Sequence, residues 1–100
     1  MGNYSAALVD FARAIELQLN MEVAVYNTAC VYALQRKVDP ACTWLRKAIQ
    51  MDIVNLDKAY TDREFDLIRD TPEFQAVLKE FDGTNESLKM ATLIYAKVSN

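Results

Sequence analysis

Apolar residues recur at steps of three and four along the first part of the chain. The positions that follow this spacing are Tyr4, Ala7, Phe11 and Ala14. Such residues lie on one face of an α-helix. Asn3 stands directly before them, and its side-chain oxygen is suited to accept a backbone N–H bond as an N-cap. The pattern predicts an amphipathic first helix that begins after Asn3.

A second helix is predicted from about residue 22 to about residue 35. Its apolar face carries Val25, Ala29 and Tyr32. The positions around that face are small, namely Ala24, Thr28, Cys30 and Ala33. Small side chains permit the close approach of a neighbouring helix.

The third helix has the clearest start signal. Asp39 is a favoured N-cap residue, and Pro40 suits the first helical position, where an N–H group has no partner within the helix. We therefore expect the helix to begin at Pro40. Its apolar stripe comprises Val38, Ala41, Leu45 and Ala48.

One fixed offset relates the stripes of the first and third helices. Equivalent residues lie 34 positions apart in the pairs Ala7 and Ala41, Phe11 and Leu45, Ala14 and Ala48, and Ile15 and Ile49. Two helices fill each period, and this indicates a repeat architecture.

This period resembles the tetratricopeptide repeat (TPR), whose pattern is W-x2-L-G-x2-Y, then A-x3-F, then P. The matching runs are Val25-x2-Thr28-Ala29-x2-Tyr32, then Ala41-x3-Leu45, then Ile53. The resemblance implies that Ala29 and Ala41 mark the closest contact of the paired helices. The chain departs from the family pattern at Val25 in place of Trp, Thr28 in place of Leu and Ile53 in place of Pro.

The resemblance implies an all-α domain over residues 1–100, built as a right-handed superhelical stack of antiparallel helix pairs. Residues 1–19 would be the second helix of a partial repeat, 20–53 a full repeat, 54–82 a degenerate closing segment and 84–100 a C-terminal helix. The chain therefore begins in mid-unit. Either it was cut from a longer protein, or a short native protein covers the face of its first helix in another way.

The segment after residue 53 looks like the closing segment of many repeat arrays. Thr71 as N-cap and Pro72 at the first position predict a helix to about Phe81, and Gly83 is suited to end it. The apolar residues expected to seal the stack are Phe65, Ile68, Phe74, Val77, Leu78 and Phe81. A further helix is predicted over residues 85–98. It would either give the array a polar end or cover the face of the first helix.

Composition and charge narrow the function classes. The 100 residues are 52% hydrophobic, enough for one core, and two Gly and two Pro leave little material for hairpins or phosphate-binding loops. A net charge of −3 with dispersed Lys and Arg argues against a nucleic-acid partner. No apolar run is long enough to cross a membrane, so we expect no membrane partner and a cytoplasmic location.

Histidine is absent from the chain, which removes the commonest general base and a principal zinc ligand. Cys30 and Cys42 lie on different predicted helices without the C-x-x-C spacing of redox pairs, so we interpret them as reduced packing residues. The sequence predicts no enzyme activity and no cofactor.

One acidic cluster is a candidate metal site. Its members are Asp62, Glu64, Asp66 and Asp70. On a helix, Asp62 and Asp66 would share a face and offer oxygens to a hard cation. Arg63 and Arg69 lie among them, however, and acidic residues commonly cap short helices. We therefore predict no metal site.

The TPR resemblance implies a concave groove lined by the second helix, which binds a peptide or helix of a partner protein. The groove residues would be Val23, Tyr26, Asn27, Cys30 and Leu34, joined by Lys58 and Tyr60 from the following helix. In peptide-binding members an Asn at the position of Asn27 bonds the ligand backbone. Members that clamp a terminal carboxylate use several basic residues, and only Lys58 matches, so no chaperone-tail ligand is expected.

The alternative function is self-association. In that case a homodimer would form through the exposed half-repeat, with Ala7, Phe11 and Ala14 as the contact face. A repeat unit cannot bury its apolar side alone, so this face requires a cover. The two functions share a fold and differ in what covers the first helix.

Overall fold

The computed structural model describes residues 3–82, and every regular element in that range is helical. The elements are α1 (Tyr4–Glu16), α2 (Met21–Leu34), α3 (Val38–Met51), α4 (Val54–Thr61), the 3₁₀-helix η1 (Arg63–Phe65) and α5 (residues 72–82). The prediction of an all-α fold is confirmed for this part of the chain. Gly83 and the predicted helix over residues 85–98 lie outside the described residues.

Helix starts follow the capping signals in two of three cases. The Asn3 side chain accepts a hydrogen bond from the Ala6 N–H at 3.1 Å. Thr71 Oγ1 accepts one from the Phe74 N–H at 3.3 Å. Both residues cap as predicted.

The predicted start of α3 is wrong by two residues. The helix begins at Val38, and Lys37 is its N-cap. Asp39 and Pro40 therefore lie inside the first turn. Proline is tolerated there because the first four N–H groups of a helix have no intrahelical acceptor, and the Asp39 carboxylate is stabilised by the positive end of the helix dipole.

Two short connections use the same C-terminal motif without glycine. Gln18 after α1 and Arg36 after α2 adopt left-handed backbone angles, with φ of 57° and 61°. The Leu19 N–H then donates to the Ala14 carbonyl at 2.8 Å, and the Lys37 N–H donates to the Tyr32 carbonyl at 2.9 Å. This Schellman pattern satisfies carbonyls at the helix ends and turns the chain back at once.

Helix α2 is the central element, because it packs against α1, α3 and η1. Five alanines on α2, α3 and α4 are fully buried, namely Ala29, Ala33, Ala41, Ala48 and Ala59. Small side chains let helix axes approach closely. The buried Thr28 hydroxyl donates to the Ala24 carbonyl at 2.7 Å, so its polar group is satisfied inside the helix.

The closing segment joins the same core. Five of the six predicted sealing residues are buried in it, and Phe81 is partly buried against it. The Phe65 ring lies 5.4 Å from the Phe74 ring, centroid to centroid. On the surface, Arg46 of α3 pairs with Glu80 of α5 at 2.8 Å. Residues 66–70 form turns instead of a helix.

Helix α1 is the least buried element. None of its residues is fully buried, although Ile15 packs against the core.

Among the described residues, no helix is long and apolar enough to span a membrane.

Candidate functional site

A cleft of about 310 Å³ lies between α2 and the segment that contains α4. Its lining residues are Glu22, Val23, Tyr26, Asn27, Asp52, Asn55, Lys58 and Asp62. We call this surface the α2–α4 cleft. It draws on the first half of α2, on Asn55 and Lys58 of α4, and on the residues that follow α3 and α4.

Four of the seven predicted groove residues line this cleft, namely Val23, Tyr26, Asn27 and Lys58. The other three do not. Cys30 is buried, Leu34 lies at the far end of α2, and the Tyr60 hydroxyl donates to the Asp82 carboxylate. Along α2 the groove residues recur about every turn, so the later ones lie too far along the helix to reach the cleft.

Four lining residues were not assigned to the predicted groove, namely Glu22, Asp52, Asn55 and Asp62. Asp52 follows α3 as its C-cap residue, and its carboxylate accepts the Val54 N–H at 3.0 Å at the start of α4. Asn55 is 6% exposed and donates from Nδ2 to the Ala48 carbonyl at 2.7 Å. In the sequence, Asn55 stands between the apolar residues Val54 and Leu56. A polar residue in that position could have indicated a specific hydrogen bond.

Tyr26 is held on three sides. Its hydroxyl donates to the Asp62 carboxylate, the Phe65 ring meets it edge-on at 5.9 Å, and the Lys58 ammonium lies 5.2 Å from its ring centroid. Burial, followed by the hydrogen bond to Asp62, raises the pKa of the Tyr26 hydroxyl above its ordinary value. The phenol therefore stays protonated at neutral pH, as a donor with a fixed direction.

Asn27 is half-buried beside Tyr26. Within the range 3–82, its side-chain amide makes no hydrogen bond to the protein. An amide offers two donors and one acceptor, and a half-buried amide gains most from a partner that also excludes water. Asn27 is thus available to a ligand at the wall of the cleft.

The two cysteines are free thiols in the core. Burial, together with the nearby Glu64 and Asp62 carboxylates, raises the pKa of Cys30 to about 12, and burial raises the pKa of Cys42 to about 11. Both thiols are neutral at physiological pH, and nucleophilic chemistry depends on the thiolate.

The acidic cluster is dispersed by the turns after α4. Asp62 faces Tyr26, whereas Asp66 pairs with Arg69. Arg69 also donates to the Asp62 carbonyl at 2.6 Å and ties this turn together. In the part of the chain that the structure describes, no three potential ligands are grouped to hold a metal ion.

The predicted self-association face is partly covered. Ala7, Phe11 and Ala14 are half-buried, and α1 packs against α2. The exposed apolar side chains of this region are instead Val9, at 65% exposure, and Leu17, at 57%. They border a shallow depression of about 440 Å³ together with Ala12, Arg13 and Glu16.

Comparison with known proteins finds a distant plant relative. The chain is 29% identical over 91 residues to a protein of Arabidopsis thaliana whose name describes it as chloroplastic. The match covers 86% of this chain and 27% of the relative, so the chain spans about a quarter of that protein's length. No family model matches the chain. No solved structure matches it either.

Proposed function

We propose that this chain is a TPR-like interaction module that binds a segment of a partner protein in the α2–α4 cleft. The proposal rests on Asn27, because within residues 3–82 its half-buried side-chain amide has no hydrogen-bond partner, and it stands at the wall of an open cleft. An extended peptide has one N–H and one carbonyl per residue, which match the acceptor and donors of that amide.

The helix positions support the repeat assignment. Tyr4 begins α1 and Val38 begins α3, which is the 34-residue offset of the sequence pattern. Met21 begins α2 and Val54 begins α4, one residue short of that offset. Two consecutive helix starts thus recur at nearly one period, as expected when each unit is a pair of helices.

Tyr26 and Val23 supply the apolar part of the site. Val23 is 59% exposed at the cleft, so a bound segment would remove its side chain from water. Tyr26 is 9% exposed and already immobilised by its neighbours, so the small accessible part of its side chain can contact a ligand at little cost in side-chain entropy. A rigid aromatic next to an exposed apolar side chain is typical of an interface anchor.

Selection of twelve-residue random peptides displayed on phage, with the chain as bait, tests the proposal. We expect the enriched peptides to bind Asn27→Ala at least about fivefold more weakly than the wild type, since a lost hydrogen bond costs about 1 kcal/mol. The melting midpoint should be nearly unchanged. Gln50→Ala, an exposed change on α3 away from the cleft, is the matched control and should bind normally.

Two outcomes would count against the cleft. Peptides that bind Asn27→Ala as tightly as the wild type would place the binding surface elsewhere. A large loss of thermal stability in Asn27→Ala would make Asn27 a structural residue.

Self-association is the second candidate, and exposed apolar residues on α1 and just after it favour it. Val9 of α1 and Leu17 after its end border the same depression, and Leu19 is 59% exposed. Light scattering over a concentration series would detect a dimer. We expect Val9→Asp to dissociate a dimer while retaining the fold, because Val9 contributes little to the core.

Phe11→Asp tests the face predicted from the sequence in the same experiment. A dimer that Phe11→Asp dissociates into a folded monomer would favour that face over the Val9 side. A wild-type monomer at every concentration would contradict self-association and leave the α2–α4 cleft as the binding site.

Two cellular locations can be compared by experiment. The cytoplasmic location is a prediction from the sequence, whereas the name of the Arabidopsis relative assigns that protein to the chloroplast. We propose a plastid location as the alternative. Fluorescence microscopy of a C-terminal fusion of the full-length protein in its own cells would separate the two.

A further inference from the structure

We infer that the α2–α4 cleft selects a basic, extended segment whose arginine or lysine side chains enter the cleft. This inference rests on the proposed function and adds the chemistry of the partner. Its basis is the balance of charges and of hydrogen-bond donors and acceptors among the lining residues.

The cleft is acidic. Three of its lining residues carry carboxylates, namely Glu22, Asp52 and Asp62, and Lys58 is its one basic lining residue within the described range. The ion pairs among residues 3–82 are Arg46 with Glu80 and Arg69 with Asp66. None of the three cleft carboxylates takes part in them. A cleft that collects unpaired charge of one sign concentrates ligands of the opposite sign.

The Lys58 ammonium does not neutralise these carboxylates by contact. It lies 5.2 Å from the centroid of the Tyr26 ring, as a cation over an aromatic face. The negative surroundings also act on the neighbouring buried groups, because Asp62 and Glu64 contribute to the raised pKa of Tyr26 and of Cys30. With three carboxylates and one ammonium, the lining side chains carry a net negative charge.

Acceptors outnumber available donors in the cleft. The Tyr26 hydroxyl is already committed to Asp62, and Nδ2 of Asn55 is committed to the Ala48 carbonyl. The amide oxygen of Asn55 has no partner within the described range, and one Asp52 oxygen is used at the start of α4. What remains is mostly carboxylate and amide oxygen, with the Asn27 amide and the Lys58 ammonium as the donors that are left.

A ligand that matches this set must be rich in donors. Arginine carries five N–H donors and no acceptor, and its planar fork suits a carboxylate. Lysine offers three donors and no acceptor. A segment with a free acidic terminus would instead meet like charges, which disfavour association.

The experiment uses the same phage library of twelve-residue random peptides and then fluorescein-labelled synthetic copies of the enriched sequences. We expect enriched peptides with an excess of arginine and lysine. Replacing those residues by glutamine should weaken binding by about tenfold, measured by fluorescence anisotropy. Added salt should weaken the binding of the basic peptides and leave the binding of the glutamine copies nearly unchanged.

A pair of protein variants locates the effect. Glu22→Gln combined with Asp52→Asn removes two cleft charges, and the new amide at position 52 retains an oxygen to accept the Val54 N–H. This variant should bind the basic peptides about fivefold more weakly. Asp10→Asn combined with Asp70→Asn changes the net charge equally at exposed sites outside the cleft and should bind normally.

Each outcome decides a separate question. Enriched peptides that are neutral or acidic, yet depend on Asn27, would overturn this inference and leave the proposed function standing. Equal weakening by both pairs of substitutions would also overturn it, because the attraction would then be that of the whole chain. If no peptide is enriched on the wild type, the proposed function fails and this inference fails with it.

Discussion

The Tyr26 hydroxyl donates a hydrogen bond to the carboxylate of Asp62, and this contact joins the middle of α2 to the residue that ends α4. The two residues are 36 positions apart in the chain. Both residues line the α2–α4 cleft. One contact thus serves both the fold and the candidate site.

Tyr26→Phe tests the structural share of that contact. The ring and its edge-on packing against Phe65 remain, so the substitution removes one hydroxyl. We expect the free energy of unfolding to fall by about 0.5–1.5 kcal/mol, measured by urea denaturation. Tyr32→Phe is the control, because the Tyr32 hydroxyl makes no hydrogen bond within residues 3–82. Equal effects of the two substitutions would show that the Asp62 bond adds no stability.

Phe65 connects the closing segment to the helices. Its side chain is fully buried between the Tyr26 and Phe74 rings. We expect Phe65→Ala to lower the free energy of unfolding by about 3–5 kcal/mol through lost burial and a residual cavity. Leu67→Ala, at a position that is 52% exposed, should change it by less than about 0.5 kcal/mol. Thermal melts of the two variants check this expectation. Equal melting midpoints for Phe65→Ala and Leu67→Ala would contradict the buried position of Phe65.

Ala41 tests the close packing of the helices. It is 0% exposed in the shared core, so a larger side chain has no space there. We expect Ala41→Leu to destabilise the fold by about 1–3 kcal/mol in chemical denaturation. Gln50→Leu adds similar bulk on the exposed side of α3 and is the matched control. An unchanged stability of Ala41→Leu would count against the repeat register.

The buried thiols give a pH dependence with a definite sign. The pKa of an unfolded cysteine is about 8.5, whereas the pKa values of Cys30 and Cys42 in the folded chain are about 12 and about 11. Between these limits the folded state holds more protons than the unfolded state, so the free energy of unfolding falls as pH rises. Stability from this source is fully present at neutral pH.

Urea midpoints measured from about pH 7 to about pH 10 would show this decline in the free energy of unfolding, which should begin at about pH 8.5. The double variant Cys30→Ala with Cys42→Ala should decline less over the same interval, although it starts from a lower stability. If its slope equals that of the wild type, the thiols are not the groups that titrate.

Much of the helical structure was open to prediction because it depends on near neighbours. A stripe at steps of three and four marks a buried face in any helix, and the caps Asn3 and Thr71 act on N–H groups three residues away. The start of α3 was misplaced because Lys37 and Asp39 compete as boundaries within one turn. Backbone contacts decide such cases by one or two residues.

The left-handed turns at Gln18 and Arg36 were not predicted, because glycine is the residue that usually signals them. Here the Schellman hydrogen bonds and the packing of the flanking helices offset the cost of a left-handed non-glycine residue. That balance is a property of the packed pair of helices.

For the candidate site, the α2 side could be predicted from the sequence, because the TPR resemblance implies Val23, Tyr26 and Asn27 as groove residues and all three line the cleft. On the opposite side the sequence indicated Lys58, whereas Asp52, Asn55 and Asp62 became apparent from the packing of the helices. Asp52 and Asp62 flank α4, and their position at the cleft depends on how that short helix packs against α3. Helical periodicity specifies which residues share a face, whereas the acidity of the cleft arises from residues brought together across separate elements.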